Sequence, residues 1–436
     1  MKSADSFFLC TFGCRCNQAD SAEIRSHLCA SSLQETGDQR DAGLIVINSC
    51  TVTRRADQQV RQKVRRLHRE NPHARIVVAG CYAERDPETL AAIPGVSLVL
   101  GNADRNRLAE VWRGDPEPAG KIIRSSLADT GDCRIAGAAH SGGKTRPFLK
   151  LQDGCDARCT YCIVPSVRGP GRSAAPEDIL AEVRRLVEYG YQEIVLTGVH
   201  LGSYGRKLPQ PARLTELLRA ILEIPGLGRL RLSSIEPMRF DRGIVALAAA
   251  NPVFAPHLHI PLQSGSDRIL RLMRRPYQAA RFLDLLQYIQ ERLPTVGLGT
   301  DVLVGFPGET DEDFEATCEL IRNSPLTYLH VFPFSAREGT EAASMPGQVP
   351  PRVLHERCEI LRELSSARNL AFRRRFVGKI LPAITLSKEE ELGECIVLTE
   401  NYIHARISEA TVAHNCLIHI RIDEARADGT WATLIR

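Results

Sequence analysis

The stretch L-Q-D-G-C-D-A-R-C-T-Y-C-I-V-P-S-V-R-G, residues 151–169, carries three cysteines within eight positions. They are Cys155, Cys159 and Cys162, and no fourth cysteine follows within the motif. Three thiolates at these spacings can close on one four-iron cluster, which ordinarily takes four ligands. One iron would then stay open to a substrate or cofactor, as the open position does in a catalytic metal site.

Buried free thiols and zinc coordination are the alternatives for these cysteines. Free cysteine is often interior, but Gly154, Asp156, Arg158 and Thr160 make the segment a polar loop. Zinc prefers a fourth Cys or His at ligand spacing, and the nearest downstream candidate, His200, lies beyond a predicted helix and strand. The pattern therefore favours an iron–sulfur loop over both.

The composition describes a large globular chain. Its 436 residues are 43% hydrophobic and carry a net charge of +4, which predicts two to four domains and permits a nucleic-acid partner without requiring one. The N-terminus lacks the pattern of a signal peptide, and no segment approaches the apolar length of a membrane span. We therefore expect a cytoplasmic protein with no membrane partner, whose 14 cysteines serve metal binding or catalysis rather than disulfides.

Residues 7 to about 115 alternate short apolar strands with helical patterns, which predicts a doubly wound parallel sheet in an α/β fold. Cys14, Cys50 and Cys81 each follow one of the first three predicted strands. Ligands collect beyond the carboxyl ends of the strands in such sheets, so we expect these cysteines to meet in a second metal site. Cys16, two positions after Cys14, could compete as a ligand.

The predicted helix at residues 54–69 carries seven Lys or Arg against one Asp. Val60, Val64 and Leu67 form its apolar stripe, which leaves a strongly basic outer face. That face is either an ordinary solvated surface or a footprint for the phosphate backbone of a nucleic acid.

From Pro147, six strand patterns alternate with helices and predict a partial (β/α)6 barrel. Chemistry in barrels lies at the C-terminal ends of the strands, and here those ends are polar and rich in glycine. We expect a site for a sizeable polar ligand there. Glu236 and Gln263 are candidate contacts to a sugar or amino-acid group, with a surface or barrel-interior role as the alternative.

From about Gly378, several short β patterns follow one another and predict a small C-terminal β-barrel. Tyr402, His404 and Arg406 would suit a strand that faces RNA, or they are plain surface.

Taken together, these motifs resemble those of one enzyme family. The C-D-A-R-C-T-Y-C loop is similar to the cluster loop of radical S-adenosylmethionine enzymes. With T-F-G-C-R-C-N-Q-A-D-S, I-N-S-C-T-V-T and A-G-C-Y-A-E it resembles the methylthiotransferases, in particular the group acting on threonylcarbamoyladenosine in tRNA. The resemblance covers nearly the whole chain. It implies a methylthiotransferase N-terminal domain at 1–117, a radical S-adenosylmethionine core at 141–371 and a TRAM RNA-binding domain at 374–436.

The resemblance also implies two 4Fe–4S clusters and S-adenosylmethionine as cofactors. The reaction would be methylthiolation of adenine C2 of N6-threonylcarbamoyladenosine next to the tRNA anticodon, with tRNA, an external electron donor and a sulfur donor as partners. No acid or base side chain is obligatory, so no catalytic residue is assigned. The implied metal ligands are Cys155, Cys159 and Cys162 for the cluster that binds S-adenosylmethionine, and Cys14, Cys50 and Cys81 for an auxiliary cluster that supplies sulfur.

Several alternatives stay open. Within the family, isopentenyladenosine tRNA and a ribosomal-protein aspartate are the other substrates, although N-Q-A-D-S and S-C-T-V-T favour the threonylcarbamoyl group. Outside it, the chain could be another radical S-adenosylmethionine enzyme or a non-catalytic iron–sulfur protein that binds RNA. Cys16 and Ala174 depart from the usual family pattern, and neither is a presumed ligand.

Overall fold

The computed structural model describes residues 3–113, 119–128, 133, 135, 142, 144–389, 394–408 and 412–435. Within these ranges the chain forms an N-terminal parallel sheet, a central array of parallel strands with outer helices, and a closed C-terminal β-barrel. None of the described helices has both the length and the apolar character that crossing a bilayer requires.

The N-terminal region is a six-stranded sheet with helices on both faces. Its strands are β1 (Ser3–Thr11), β2 (Gln34–Glu35), β3 (Ala42–Ser49), β4 (Arg75–Gly80), β5 (Val96–Leu100) and β6 (Lys121–Ile123). Its helices are α1 (Arg15–Ala30), α2 (Arg54–Glu70), α3 (Cys81–Arg85), α4 (Pro87–Ala91) and α5 (Leu108–Arg113). The strand order is β2-β1-β3-β4-β5-β6, and every pairing is parallel.

Strand β3 shows why this sheet is buried on both faces. Leu44 and Val46 pack into one apolar cluster with α1 and α5, while Ile45 and Ile47 pack into another with α2 and α4. Successive side chains of a strand point to opposite faces, so a continuous apolar run needs cover on both sides. The predicted doubly wound parallel sheet is confirmed.

The central region contains seven strands and eight helices. The strands are β7 (Phe148–Asp153), β8 (Arg172–Ser173), β9 (Glu193–Gly198), β10 (Arg229–Leu232), β11 (His257–His259), β12 (Gly297–Val304) and β13 (Tyr328–Pro333). The helices are α6 (Val164–Arg168), α7 (Pro176–Glu188), α8 (Leu214–Leu222), α9 (Gly243–Ala250), α10 (Asp267–Leu272), α11 (Ala279–Arg292), α12 (Asp311–Asn323) and α13 (Pro351–Arg374). Short 3₁₀ turns occupy Arg105–Arg107 in the N-terminal region, and Leu201–Ser203, Pro237–Arg239 and Glu341–Ala343 here.

Six of these strands run parallel, as the predicted partial barrel requires. They form two hydrogen-bonded groups, β10-β9-β7 and β11-β12-β13, which are joined by the isolated parallel bridges Leu230–Phe254 and Ser234–His259. The ladder is thin at β11 because Pro256 and Pro261 flank it and proline has no N–H to donate. The short strand β8, which the sequence did not predict, pairs antiparallel with β7.

The C-terminal region is a five-stranded closed barrel, as expected. It comprises β14 (Ile380–Glu389), β15 (Glu394–Thr399), β16 (His404–Ile407), β17 (Leu417–Arg426) and β18 (Gly429–Ile435), in the order β14-β15-β16-β18-β17. Phe372 and Phe376, at the end of α13 and just after it, pack into the core of this barrel.

A buried ionic contact fixes the C-terminal barrel to the central strands. Glu193 on β9 accepts from Arg231 Nε on β10 at 2.8 Å, and both side chains are fully buried. Arg231 also donates to the carbonyl oxygens of Thr399 and Glu400 at 3.2 and 3.0 Å. The Arg231 guanidinium therefore connects the turn after β15, in the C-terminal barrel, to strands β9 and β10 of the central region.

Candidate functional site

A cavity of about 490 Å³ lies between the N-terminal sheet and the carboxyl ends of the barrel strands. The sequence predicted two separate cysteine triads, and the structure brings both to the walls of this one cavity. The six cavity-lining cysteines of these triads are Cys14, Cys50, Cys81, Cys155, Cys159 and Cys162.

The N-terminal triad lies at the carboxyl edge of the sheet. Cys14 caps α1, Cys50 follows β3, and Cys81 opens α3 directly after β4. Asn17 Oδ1 lies 3.9 Å from Cys14 Sγ and 3.8 Å from Cys81 Sγ. Gly13, at a φ of 100°, packs so closely that an added Cβ would come within 2.8 Å of Cys50 Sγ. The three loops therefore meet.

The second triad lies in the loop between β7 and α6. The turn into it depends on Gly154, whose φ is 69° and whose missing Cβ would lie 2.0 Å from the Pro170 carbonyl oxygen. Cys155 N donates to the Gly169 carbonyl at 3.1 Å, which closes the loop on itself. All three thiols are half-buried.

Two side chains from the segments after β9 and α10 approach these thiols. His200 Nδ1 lies 3.8 Å from Cys155 Sγ, and Arg275 Nη1 donates to Cys159 Sγ at 3.5 Å. Arg275 has no role that could be predicted from the sequence, because its position after α10 gives no local signal for a contact with a cysteine over a hundred residues away.

Burial controls the ionisation of most of these thiols. It raises the pKa of Cys50 to about 12, of Cys155 to about 11 and of Cys162 to about 12. A metal binds thiolates, so its arrival would release these protons and its affinity would depend on pH.

The pKa of Cys14 is lowered rather than raised, because Cys16 is close to it. The hydrogen bond from Cys16 is the largest influence on Cys14 and lowers its pKa to about 6. Cys16 is 4% exposed, lines the same cavity and lies 3.9 Å from Thr197 Oγ1 on β9. The two side chains of the C-x-C pair therefore face the same space, which the sequence left open.

An ionic network sets the position of the two triads relative to each other. Arg168, at the end of α6, donates to Asn17 Oδ1 at 2.5 Å, to Asp20 at 2.7 Å and to Asp153 at 2.8 Å. Lys150 bridges the same two carboxylates. Every side chain in these ion pairs is at most 5% exposed. Charges buried this way hold their geometry, because any separation leaves an unpaired ion.

Glu236 and Gln263 both line the cavity. Burial raises the pKa of Glu236 to about 7, and its Oε2 lies 3.6 Å from His200 Nε2 without a hydrogen bond. Gln263 has a φ of 70°, rare for a residue with a side chain, and its N–H donates to the Asp301 carbonyl at 2.8 Å. Their contacts to a sugar or amino-acid group stay predictions.

Three polar residues of this rim were missed by sequence reasoning. Asp301 Oδ1 lies 3.3 Å from His259 Nε2 and 3.2 Å from His330 Nδ1. Burial opposes the ionisation of Asp301, but the two imidazoles outweigh it and hold the pKa of that carboxyl below its usual range. A charged residue inside the otherwise apolar pattern G-L-G-T-D-V-L-V was the available signal.

The C-terminal barrel contributes one residue to this region in a way the sequence did not predict. Tyr402 lies in the turn between β15 and β16, at a φ of 73°, and not on a strand facing RNA. Its ring stacks on His257 at 4.0 Å, and its hydroxyl accepts from Arg15 Nη2 at 3.1 Å. That expectation for Tyr402 was wrong because a domain contact takes up the ring. His404 and Arg406 do lie on β16.

Helix α2 starts four residues after Cys50 and is held at its first turn. Asp57 is buried and accepts from Thr51 Oγ1 at 2.6 Å and from Arg337 Nη2 at 2.5 Å. The predicted stripe of Val60, Val64 and Leu67 is buried. The basic face is therefore turned outward; its exposed members include Arg54, Arg55, Arg65, Arg66 and Arg69.

Comparison with known proteins gives consistent results for the two cysteine-bearing regions. Residues 149–321 match the family model described as Radical SAM superfamily, and residues 6–101 match the one described as Uncharacterized protein family UPF0004. The fold resembles the radical S-adenosylmethionine methyltransferase TsrM from Kitasatospora setae, with a TM-score of 0.57 at 16% identity over 78% of this chain and 77% of that one.

Two sequence relatives are similar along most of their length. The chain is 36% identical over 394 residues to threonylcarbamoyladenosine tRNA methylthiotransferase MtaB of Aquifex aeolicus, covering 90% of this chain and 94% of the relative. It is 35% identical over 406 residues to tRNA-2-methylthio-N(6)-dimethylallyladenosine synthase of Mycobacterium ulcerans, covering 89% and 74%. Membership of the superfamily implies S-adenosylmethionine and a 4Fe–4S cluster as cofactors. The chain belongs to the radical S-adenosylmethionine methylthiotransferase family of enzymes.

Proposed function

We propose that this protein methylthiolates adenine C2 of N6-threonylcarbamoyladenosine next to the anticodon of tRNA. The single observation that carries the proposal is the cavity shared by two cysteine triads and a polar rim. A relative with that activity matches over 90% of the chain. A dimethylallyladenosine enzyme matches nearly as well, so the choice of substrate rests on the polar rim.

The donor sets fit two iron–sulfur clusters. Each triad offers three sulfurs to the cavity, and thiolate is the ligand that such clusters take. In the proposal Cys155, Cys159 and Cys162 hold one cluster, and Cys14, Cys50 and Cys81 hold an auxiliary one. When bound, the clusters and S-adenosylmethionine supply reductive cleavage and sulfur transfer, which no amino-acid side chain can perform.

The chain itself positions the reactants and excludes water. Ile163 and Val167, which follow Cys162, pack directly on Cys81, so the space between the triads has an apolar wall. Such a wall keeps water from reactive species. Arg275 adds a fixed positive charge beside Cys159, and Arg168 adds another beside the N-terminal triad.

RNA binding is assigned to the basic face of α2 and to the C-terminal barrel. Helix α2 begins close to Cys50, so phosphates bound on its face would lie near the cavity. Lys and Arg contacts of this kind give affinity without reading sequence and weaken with salt. In the proposal the C-terminal barrel serves as the TRAM domain that the family resemblance implies.

The test combines metal analysis with nucleoside chemistry. Wild type, Cys50→Ala and Cys155→Ala are purified and reconstituted without oxygen, and Cys416→Ala, in a half-buried cysteine of the C-terminal region, is the matched control. We expect about eight irons in wild type and control, and about four in each cluster variant. With S-adenosylmethionine, dithionite and sulfide, only wild type and control should convert threonylcarbamoyladenosine in tRNA to its methylthio form.

Two results would contradict the proposal. Full iron content and product in Cys50→Ala would eliminate the auxiliary cluster and with it the sulfur-transfer assignment. Conversion by wild type of dimethylallyladenosine tRNA, with threonylcarbamoyladenosine tRNA untouched, would keep the reaction and replace the substrate.

A further inference from the structure

We infer that His259, Asp301 and His330 form a subsite for the polar substituent on the substrate base, a ureido group that ends in a carboxylate. The inference rests on the proposed function of the same cavity. It adds the residues that would distinguish this substrate from one carrying an apolar substituent.

The three residues lie on adjacent parallel strands. His259 ends β11 and pairs in register with Gly299 on β12, two positions before Asp301, and Asp301 pairs with His330 on β13. Their side chains line the cavity that also contains both cysteine triads. A base held between the triads would therefore have its substituent within reach of this edge.

The hydrogen-bonding capacity of this group is only partly used. Asp301 Oδ1 faces both imidazoles at 3.2 and 3.3 Å, whereas Oδ2 has no hydrogen-bond partner among the described residues. Ser234 Oγ and His259 Nδ1 are hydrogen-bonded at 2.9 Å, but the buried Nε2 of His259 makes no aligned hydrogen bond. His330 lines the cavity and its side chain is 49% exposed, and its Nε2 has no hydrogen-bond partner among the described residues.

These open positions match the chemistry of a ureido group. A carboxylate accepts and cannot donate, so the free oxygen of Asp301 suits the N–H donors of the ureido nitrogens. The open nitrogen of His330 suits a hydroxyl or carbonyl further along. A dimethylallyl group would leave all of them without partners, and sites built to hydrogen-bond a substrate reject analogues that lack the matching groups.

Arg15 supplies a cation for the terminal carboxylate. Arg15 lines the cavity, and among the described residues its guanidinium donates to a phenol, Tyr402, rather than to a carboxylate. Tyr402 stacks on His257, whose Nε2 lies 2.8 Å from the Tyr328 hydroxyl, and the Tyr328 ring lies 5.3 Å from His330. This run of rings connects Arg15 to the proposed subsite along one wall.

The same three groups could instead hold a divalent cation, since their ligand atoms lie within 4.8 Å of one another. His330 Nδ1 and Asp301 Oδ1 are hydrogen-bonded at 3.2 Å, a contact that a metal ion between them would replace, so we favour a subsite for an organic group. The test separates the two.

The experiment uses reconstituted enzyme and three synthetic anticodon stem-loop RNAs that differ only at one adenine, which carries threonylcarbamoyl, dimethylallyl or no substituent. His330→Phe removes the polar contact at similar size, and His330→Gln restores a hydrogen-bonding group. His355→Phe, at an exposed position of α13, is the matched control. Binding without S-adenosylmethionine is followed by fluorescence anisotropy and turnover by kcat/KM, with metal content measured throughout.

We expect His330→Phe to lower kcat/KM on the threonylcarbamoyl RNA roughly 30-fold, the loss of one strong hydrogen bond to a charged or polar group. The binding preference for that RNA over the unsubstituted one should fall in parallel. Affinity for the unsubstituted RNA should stay within about threefold. His330→Gln should recover part of the loss, and His355→Phe should match wild type.

Four outcomes would overturn the inference. An equal loss on all three RNAs would indicate a structural role, and an unchanged preference in His330→Phe would leave the proposed function intact while removing the subsite. If wild type bound a metal other than iron and His330→Phe did not, the group of His259, Asp301 and His330 would be a metal site. Preference of wild type for the dimethylallyl RNA would refute the proposed function and this inference together.

Discussion

Replacing Glu193 by glutamine should destabilise the contact between the central strands and the C-terminal barrel. Burial raises the pKa of Glu193, but Arg231 and its neighbours outweigh that effect and bring it from 4.5 down to about 2. At about 1.4 kcal/mol for each tenfold change in proton affinity, the interactions that keep Glu193 ionised amount to roughly 3 kcal/mol. Removing one partner of a buried ion pair costs roughly 3–5 kcal/mol, which agrees.

The pH dependence has a definite sign. Because the folded pKa lies below the unfolded one, this stabilisation is complete above about pH 4.5 and disappears as the pH falls towards about 2. Wild type should therefore lose its advantage over Glu193→Gln in that window. At neutral pH the variant should unfold at lower urea, and backbone amides near Thr399 should exchange faster because Arg231 holds that turn.

The control is Glu315→Gln, which removes the same charge from an ion pair with Arg322 whose side chains are both about half exposed. Exposed pairs contribute at most about 1 kcal/mol. Two measurements are made on each variant: unfolding in urea, and amide hydrogen exchange detected by mass spectrometry. The absorbance of the iron–sulfur clusters is monitored to show that the variants are equally loaded. If Glu193→Gln and Glu315→Gln lowered the free energy of unfolding by the same amount, the reasoning that burial makes the Glu193 pair strong would be refuted.

Three further results follow from the geometry. Gly13→Ala should lose about half of the iron, because its Cβ would press on Cys50 Sγ, whereas Gly37→Ala, which meets nothing within 4 Å, should keep all of it; iron and sulfide analysis decides. Arg65→Gln combined with Arg66→Gln should weaken tRNA binding and lower the salt slope by about two, with iron content unchanged; titrations at several salt concentrations would contradict this if the slope stayed the same. Stripping iron with a chelator and oxidant should lower the melting temperature, since ligand binding stabilises the folded state, and an unchanged melting curve would show that the triads fold without metal.

Local patterns predicted most of the architecture. Strand β3 is apolar on both faces, so its burial could be inferred from residues 44–47 alone, and the same holds for the α2 stripe. The small number of hydrogen bonds that β11 makes to its neighbouring strands was not predicted. It depends on which backbone hydrogen bonds are lost at Pro256 and Pro261, and this requires knowing which strands pair. Strand β8 was missed because two residues carry no periodicity.

The Cys155, Cys159 and Cys162 triad was found from its spacing within one loop. The Cys14, Cys50 and Cys81 triad was found because the strand ends of a parallel sheet lie along one edge, so residues that follow successive strands come together. The His259, Asp301 and His330 group was missed because the register between β11, β12 and β13 brings the three together, and no local pattern predicts that register. Tyr402 was assigned to the wrong environment for a similar reason. Its alternation with neighbours fits a strand, whereas docking against His257 places it in a turn.

The ionic network around Arg168 has a consequence for how reactants move. Opening the two cysteine-bearing regions like a hinge would separate Asp20 on α1 from Arg168 and Lys150 of the central region, at a cost of roughly 3–5 kcal/mol. We therefore expect a rigid reaction chamber of fixed width. In the proposed reaction the adenine has to leave its stack in the anticodon loop to enter this chamber, because walls held by buried ion pairs do not separate to admit a stacked base.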